Sequence, residues 1–235
     1  MIQSAGIISA GQGQRLRDGG ISLHKPMVRV AGWPLIGHLL RNLELCGVRR
    51  AVIIFNEQEQ DCADWARSSF PNLDLDIILK TTPSSAESFE RVGERLGPGQ
   101  HLISTVDALC SPEELRKMLD PEVANKNAVV LGLTRPVPDE KPLWAQWDPL
   151  SRRILSLGGP TGNYVTSGYY SVPGALFAQK PEQTFSALRH YLAWLSQQSG
   201  EVYGVLMENV LDIDRPEDLK EAELFYAAEE KLCKY

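Results

Sequence analysis

The chain predicts an α/β fold whose central sheet is mostly parallel, and three observations carry the prediction. Over the first ~135 residues short apolar runs alternate with helical patterns, as expected when parallel strands are joined by helices. An apolar run at the N-terminus, around Ile7-Ile8, breaks directly into a loop carrying Gly11 and Gly13. With 235 residues and 43% hydrophobic content, the chain can bury a large core as one domain spanning 1–235.

The elements follow in order. Ile7-Ile8, 51–55, 73–79, 101–106 and 128–131 read as strands. Between the first two, 34–46 reads as a helix: Pro34 suits its first turn, Leu35, Ile36, Leu39, Leu40 and Leu43 share a face, and Gly47 ends it. A second helix covers 84–96, before the break at Gly97-Pro98-Gly99. Ser111-Pro112-Glu113-Glu114 has the form of a capping box with Pro at the first helical position, which starts a third helix right after Cys110. After Thr134 prolines and glycines punctuate Trp- and Tyr-bearing segments, which reads as a small antiparallel element: a hairpin ending at 154–157, then a strand over 164–172. The chain closes with a helix near 183–197, strands near 202–207 and 210–212, and a helix from Pro216. On this reading 1–135 forms the first half of the domain and 136–235, with the closing helix, the second.

Composition excludes several functions. The net charge of −6 has no long run of Lys or Arg behind it, which speaks against nucleic-acid or membrane surfaces as partners. No stretch approaches the ~18 uninterrupted apolar residues of a membrane span, and the start lacks a basic-then-apolar signal, so the expected location is cytoplasmic. Cys46, Cys62, Cys110 and Cys233 show neither Cys-x-x-Cys spacing nor the density of a disulfide framework, the pattern of reduced, buried or incidental thiols. His24, His38, His101 and His190 are scattered and read as structural or solvated, and only His24 adjoins a candidate catalytic residue.

The chemistry concentrates in the N-terminal loop. In Ala10-Gly11-Gln12-Gly13-Gln14-Arg15-Leu16, the glycines allow positive φ and a close approach of backbone N–H groups to phosphate oxygens, and Arg15 and then Lys25-Pro26-Met27 supply counter-charge. A dinucleotide fingerprint would need Gly where Leu16 stands, and a Walker loop would need Lys-Ser/Thr where Gln14-Arg15 stands. The pattern resembles the nucleotidyltransferases that join a nucleoside triphosphate to a phosphorylated acceptor, the sugar-nucleotide pyrophosphorylases and their molybdenum-cofactor and cytidylyl relatives. Ala10, Gly11, Gly13, Arg15, Leu16, Lys25, Pro26 and Met27 all match it. The resemblance implies a three-layer αβα fold of the nucleotide-diphospho-sugar transferase (GT-A-like) type and transfer of a nucleotidyl group with release of pyrophosphate. It also implies Mg²⁺ as cofactor, an NTP and a phosphorylated small molecule, such as a sugar phosphate, as substrates, and Arg15 and Lys25 as catalytic residues. Nucleotide binding then falls to Ala10, Gly11, Gln12, Gly13 and Gln14, which makes 1–135 the nucleotide-binding half and 136–235 the acceptor-side half with the closing helix.

Two carboxylates complete the expected site. Asp107 follows an apolar strand at the edge where open parallel sheets bind ligands, and it either caps the next turn or holds a metal. The resemblance implies the second role. In 208–219, the alternation over Val210 to Asp214 reads as a short strand whose Asp212 and Asp214 point the same way, and Asp214 with Glu217 three residues on has the form of a cap for the closing helix. By resemblance Asp212 is the second Mg²⁺ ligand and Asp214 mainly a cap, with their exchange as the alternative.

The acceptor side departs from the family. Asn163-Tyr164 and Gly168-Tyr169-Tyr170 fit the expected acceptor-binding pattern, but Gly159 stands where sugar-nucleotide enzymes carry a Lys. Asp139-Glu140-Lys141-Pro142 lies before the hairpin and reads as an exposed turn. Either Arg152, Arg153 or Lys141 meets the acceptor phosphate, or the acceptor is not an ordinary hexose 1-phosphate. Thr82 and Ser85, in 81–88, stand where relatives carry a Gly-rich base-binding loop, and their hydroxyls either read a base edge or cap the helix. The rival readings are a molybdopterin-type guanylyl- or cytidylyltransferase, and a nucleotide-binding regulatory protein that has lost turnover.

Overall fold

The computed structural model describes residues 2–124, 126–136, 142–178, 180–198 and 201–232, without the side chains of 228–232. Lys141 with Asp139 and Glu140, and also Cys233, lie outside the described residues. The first half runs β1 (Ser4–Ser9), α1 (Gln14–Asp18), a 3₁₀ turn Lys25–Met27, a short hairpin of β2 (Arg29–Val30) and β3 (Trp33–Pro34), and α2 (Leu35–Leu45). It continues through β4 (Arg50–Phe55), α3 (Gln60–Ser69), β5 (Asp74–Leu79), α4 (Ser85–Gly93), β6 (Gln100–Thr105), β7 (Ala108–Cys110), α5 (Pro112–Leu119), α6 (Pro121–Ala124) and β8 (Val129–Thr134). The second half contributes β9 (Trp144–Trp147), β10 (Ile154–Leu157), β11 (Tyr164–Pro173), α7 (Leu188–Gln198), β12 (Val202–Leu206), β13 (Val210–Asp212) and α8 (Pro216–Leu232).

Among the described residues nine strands share one sheet, in the order β10-β9-β11-β6-β1-β4-β5, with β8 also on β11 and β12 on β8. The strands β6, β1, β4 and β5 are parallel, as are β8 and β12. The long β11 runs antiparallel between β6 and β8, so part of the predicted antiparallel element is built into the central sheet. Strand alternation separates two cores. Ala51, Ile53 and Phe55 face Leu35, Leu39, Ala63, Leu115 and Ala222 on one side, while Val52 and Ile54 face Phe89, Val92, Tyr191 and Leu192 on the other. These two apolar layers give the αβα sandwich.

Three elements differ from their sequence reading. Helix α3 buries only Cys62, Ala63 and Ala66, and a stripe of small residues lacks the large apolar periodicity that reveals a helix. Helix α7 begins at Leu188 rather than 183, because its first turn is held from a distance: Leu188 N donates to Ser85 Oγ at 2.9 Å. The segment before α5 is itself a strand, β7, which exists only through its pairing with β13. The cap of α5 is as expected, with Glu114 N donating to Ser111 Oγ.

Candidate active site

The strand β1 ends at Ser9 and the chain crosses the sheet edge in the loop that carries Ala10 to Gly13. Gly13 sits in the left-handed region at φ 60°, and a Cβ placed on it would lie 3.0 Å from Lys25 Cβ. That close approach packs the two cation-bearing loops together. The expected positive φ does not extend to Gly11, where an added Cβ would meet nothing within 4 Å and the backbone is open to an incoming group. Gln14 and Arg17 brace the loop, Gln14 Nε2 on Asp18 Oδ1 at 2.6 Å and Arg17 on the Gln12 carbonyl.

Lys25 is buried, with 9% of its surface exposed. Its ammonium donates to Asp107 Oδ2 at 2.7 Å and to Asp214 Oδ1 at 2.5 Å. Arg15 reaches the other oxygen of Asp214 at 2.8 Å. Burial alone would lower the Lys25 pKa, but the two carboxylates outweigh it and hold the ammonium above its ordinary range. Burial would likewise raise Asp107, and the Lys25 charge with hydrogen bonds from Lys25 and Thr105 brings it below the usual carboxylate range. Both groups are therefore ionised at neutral pH.

The third carboxylate arrives by strand pairing. In the β7–β13 ladder Asp212 is opposite Ala108, and Ile213 N donates to the Asp107 carbonyl at 3.1 Å. Carboxylate oxygens of Asp107, Asp212 and Asp214 thus come within 4.8 Å of one another. An all-oxygen donor set of this kind suits a hard divalent cation such as Mg²⁺. Tyr169, fully buried, donates to the Ala108 carbonyl at 2.7 Å and fixes the start of β7 from behind.

The expected capping role of Asp214 needs correction. Its side chain is taken by Lys25 and Arg15, and the carboxylate that reaches back to the start of α8 is Asp218, whose Oδ2 accepts from Asp214 N at 2.8 Å and from Arg215 N at 2.7 Å. An acid three residues beyond the N-cap satisfies the first N–H groups of a helix, a signal present in Arg215-Pro216-Glu217-Asp218 but assigned one residue too early. Asp218 therefore orients Asp214, a role that sequence reading missed.

The remaining candidates lie further from this cluster or are occupied. Thr82 Oγ1 pairs with Ser88 Oγ at 2.6 Å, Ser85 Oγ holds Leu188 N, and Ser84 caps α4 by accepting from Glu87 N. Asn163 spends its amide on Trp147, accepting from its N–H and donating to its carbonyl, both at 2.9 Å. Gly168, at φ 83°, sits in the β11 irregularity, where a Cβ would come within 2.8 Å of Thr105 Oγ1, next to Asp107. At Gly159 an added Cβ would meet only the Thr161 carbonyl, at 3.7 Å; positive φ belongs to Gly158 alone. Arg152 is paired with Glu122 at 2.7 Å.

Known proteins share this fold. The fold is that of the inositol-1-phosphate CTP transferase from T. maritima, with TM-score 0.81 and 22% identity over 95% of this chain and 94% of that one. A UDP-glucose pyrophosphorylase in complex with UDP-glucose superimposes with TM-score 0.81 at 14% identity, covering 97% of this chain and all of the other. HddC from Yersinia pseudotuberculosis, complexed with GMP-PN, gives 0.77 at 19% identity over 96% and 100%. No curated protein matches the sequence significantly. The nucleotidyl transferase family model matches residues 5–143, which include the Gly loop, Lys25 and Asp107. With more than half of the chain matched and the paired cations and carboxylates gathered at the edge of the sheet, the protein belongs to the nucleotidyl transferase family.

Proposed function

We propose that the protein transfers a nucleoside monophosphate from an NTP to the phosphate of a small polyol or sugar phosphate and releases pyrophosphate. The observation that carries the reading is the Lys25 ammonium held between Asp107 and Asp214 beside the Gly11–Gly13 loop. The acceptor phosphate is already an anion, so attack on the α-phosphorus needs no general base, and the protein's task is orientation and charge stabilisation. The loop from Ala10 to Gln14 and Arg15 take the leaving pyrophosphate, and Lys25 offsets charge developing at the α-phosphate. Asp107 and Asp212, with Asp214 adjoining, would hold Mg²⁺, which when bound neutralises phosphate charge. Asp218 keeps Asp214 turned toward both cations. Gly168, close to Thr105 and so to Asp107, would line the approach of the acceptor, while the side chains of Thr82, Ser85 and Asn163 are engaged by Ser88, Leu188 and Trp147 and would shape the substrate side only through the segments they hold.

The choice of a phosphorylated polyol or sugar is supported by the structural relatives, whose printed activities concern inositol 1-phosphate and UDP-glucose. The test is pyrophosphate release from each of four NTPs against inositol 1-phosphate, a panel of hexose 1-phosphates and molybdopterin, with Mg²⁺. One NTP with one acceptor of the polyol or sugar class should stand out. Turnover confined to molybdopterin, or tight Mg·NTP binding with no turnover anywhere, would overturn the reading.

A further inference from the structure

A second group of metal-binding side chains lies beside the Lys25 loop and takes no part in the chemistry above. His24 precedes the 3₁₀ turn that carries Lys25, and Asp61 and Cys62 lie in the first turn of α3. Donor atoms of the three residues come within 4.8 Å of one another, and His24 Nδ1 is 3.1 Å from Asp61 Oδ1. Ligands about 2.0 Å from a tetrahedral ion stand roughly 3.3 Å apart, so the nitrogen and oxygen are already near coordination distance, and the thiol, within 4.8 Å of both, needs a shift of no more than about 1.5 Å. The donor set differs in kind from the active-site triad: one imidazole, one thiol and one carboxylate select a borderline-soft ion, whereas three carboxylates select a hard one.

We propose that His24, Asp61 and Cys62 bind one zinc-type divalent ion, with the fourth position open to water, and that this ion clips the Lys25 loop to α3. The sulfur of Cys62 is the interior ligand, since that residue is fully buried, while the half-exposed His24 and the exposed Asp61 leave a route from solvent. Burial and the charges of Glu59 and Asp61 keep the thiol protonated when the metal is absent. Binding therefore forms the sulfur–metal bond with loss of the S–H proton to solvent, and affinity rises with pH. Glu59, buried at the N-cap of α3 and hydrogen-bonded to Asn56 N, adds negative potential from within, and Arg17 opposes it from α1.

The test is a Co²⁺ titration of the chelator-stripped full chain. The expected result is thiolate-to-cobalt charge-transfer absorption that saturates at one equivalent and is bleached by Zn²⁺. The band should vanish in Cys62→Ser, and affinity should fall at least ~10-fold in His24→Ala, which keeps the assay informative if the buried serine prevents folding. Zn²⁺ at 100 times its Kd should shift the folding equilibrium of the unmodified protein ~100-fold and that of His24→Ala by ~10-fold or less. An absent band, a band that survives Cys62→Ser and so belongs to another thiol such as Cys46, or unchanged affinity in His24→Ala would each overturn the proposal. None of these readouts depends on nucleotidyl transfer.

Discussion

In the first half of the molecule, β1, β4, β5 and β6 run parallel and side by side, and the loops leaving their C-terminal ends share one edge of the sheet. In the second half the chain reverses repeatedly. Strand β11 pairs with β9, β6 and β8, and residues of the expected acceptor pattern are spent on holding these strands, as Asn163 is on Trp147. Polar residues at parallel strand ends are left facing outward, where chemistry can use them. Polar residues inside an antiparallel weave tend to be consumed by backbone groups that must be paired. Asp212 and Asp214 bring the second half's carboxylates into the charged cluster, and they do so through a strand added to the first half.

Removing the cation that joins the halves should have the largest effect. Lys25→Met leaves Asp107 and Asp214 facing each other with Arg15 on one of them, and breaking a buried pair from one side costs about 3 kcal/mol or more. Turnover should be lost, and the urea midpoint should fall accordingly. A stability loss under about 1 kcal/mol would show that the two halves are not held at this point.

Carboxylate replacement separates the halves more finely. Asp107→Asn, on the first half, and Asp214→Asn, on the second, should each lower kcat by about 10²-fold or more in steady-state kinetics, as expected when a group that positions or neutralises transferring phosphate is lost. Asp218→Asn should reduce kcat through Asp214, and Asp218→Glu should recover part of it. If Asp212→Asn is harmless while Asp214→Asn is crippling in a folded protein, the metal ligands are Asp107 and Asp214.

Packing of the second half is tested at Gly162, where an added Cβ would lie 2.5 Å from the Ala145 carbonyl oxygen. Gly162→Ala should cost roughly 1–3 kcal/mol, as overpacking does, with the KM for the acceptor rising more than that for NTP. At Gly159, where the space is open and φ is ordinary, Gly159→Lys should change stability by no more than ~0.5 kcal/mol. A lower KM for a hexose 1-phosphate in that variant would place the acceptor phosphate at this turn, and an unchanged KM would place it elsewhere.

The smallest effect is on acid stability. Burial lowers the pKa of His38, which bonds the Val30 carbonyl, and of His101, which bonds Ser4 and Gly97. Groups with a folded pKa below the unfolded value contribute stability above about pH 6.5 and lose it as pH falls from there to their folded pKa values. Stability measured by denaturant should therefore begin to decline below about pH 6.5, before the Asp107–Lys25 pair is touched. A flat profile down to about pH 4.5 would show that these rings take up protons as readily in the folded protein as in the unfolded chain.

The amino-acid sequence by itself determined the strands β1, β4, β5, β6 and β8, the helices α2, α4 and α5, the Gly loop with the cations Arg15 and Lys25 close after it, and Asp107 at a strand end. Those features are local: a strand, its turn and the helix after it write their signals into neighbouring residues. Tertiary structure alone decided the rest. Whether Asp212 or Asp214 meets Lys25, that Asp218 is the cap, that β11 enters the central sheet, and that His24 lies against Asp61 and Cys62 all follow from contacts between segments far apart in sequence. Small buried residues hid α3 for a related reason, since Cys62, Ala63 and Ala66 gain their meaning as a packed face only when the sheet is there to receive them.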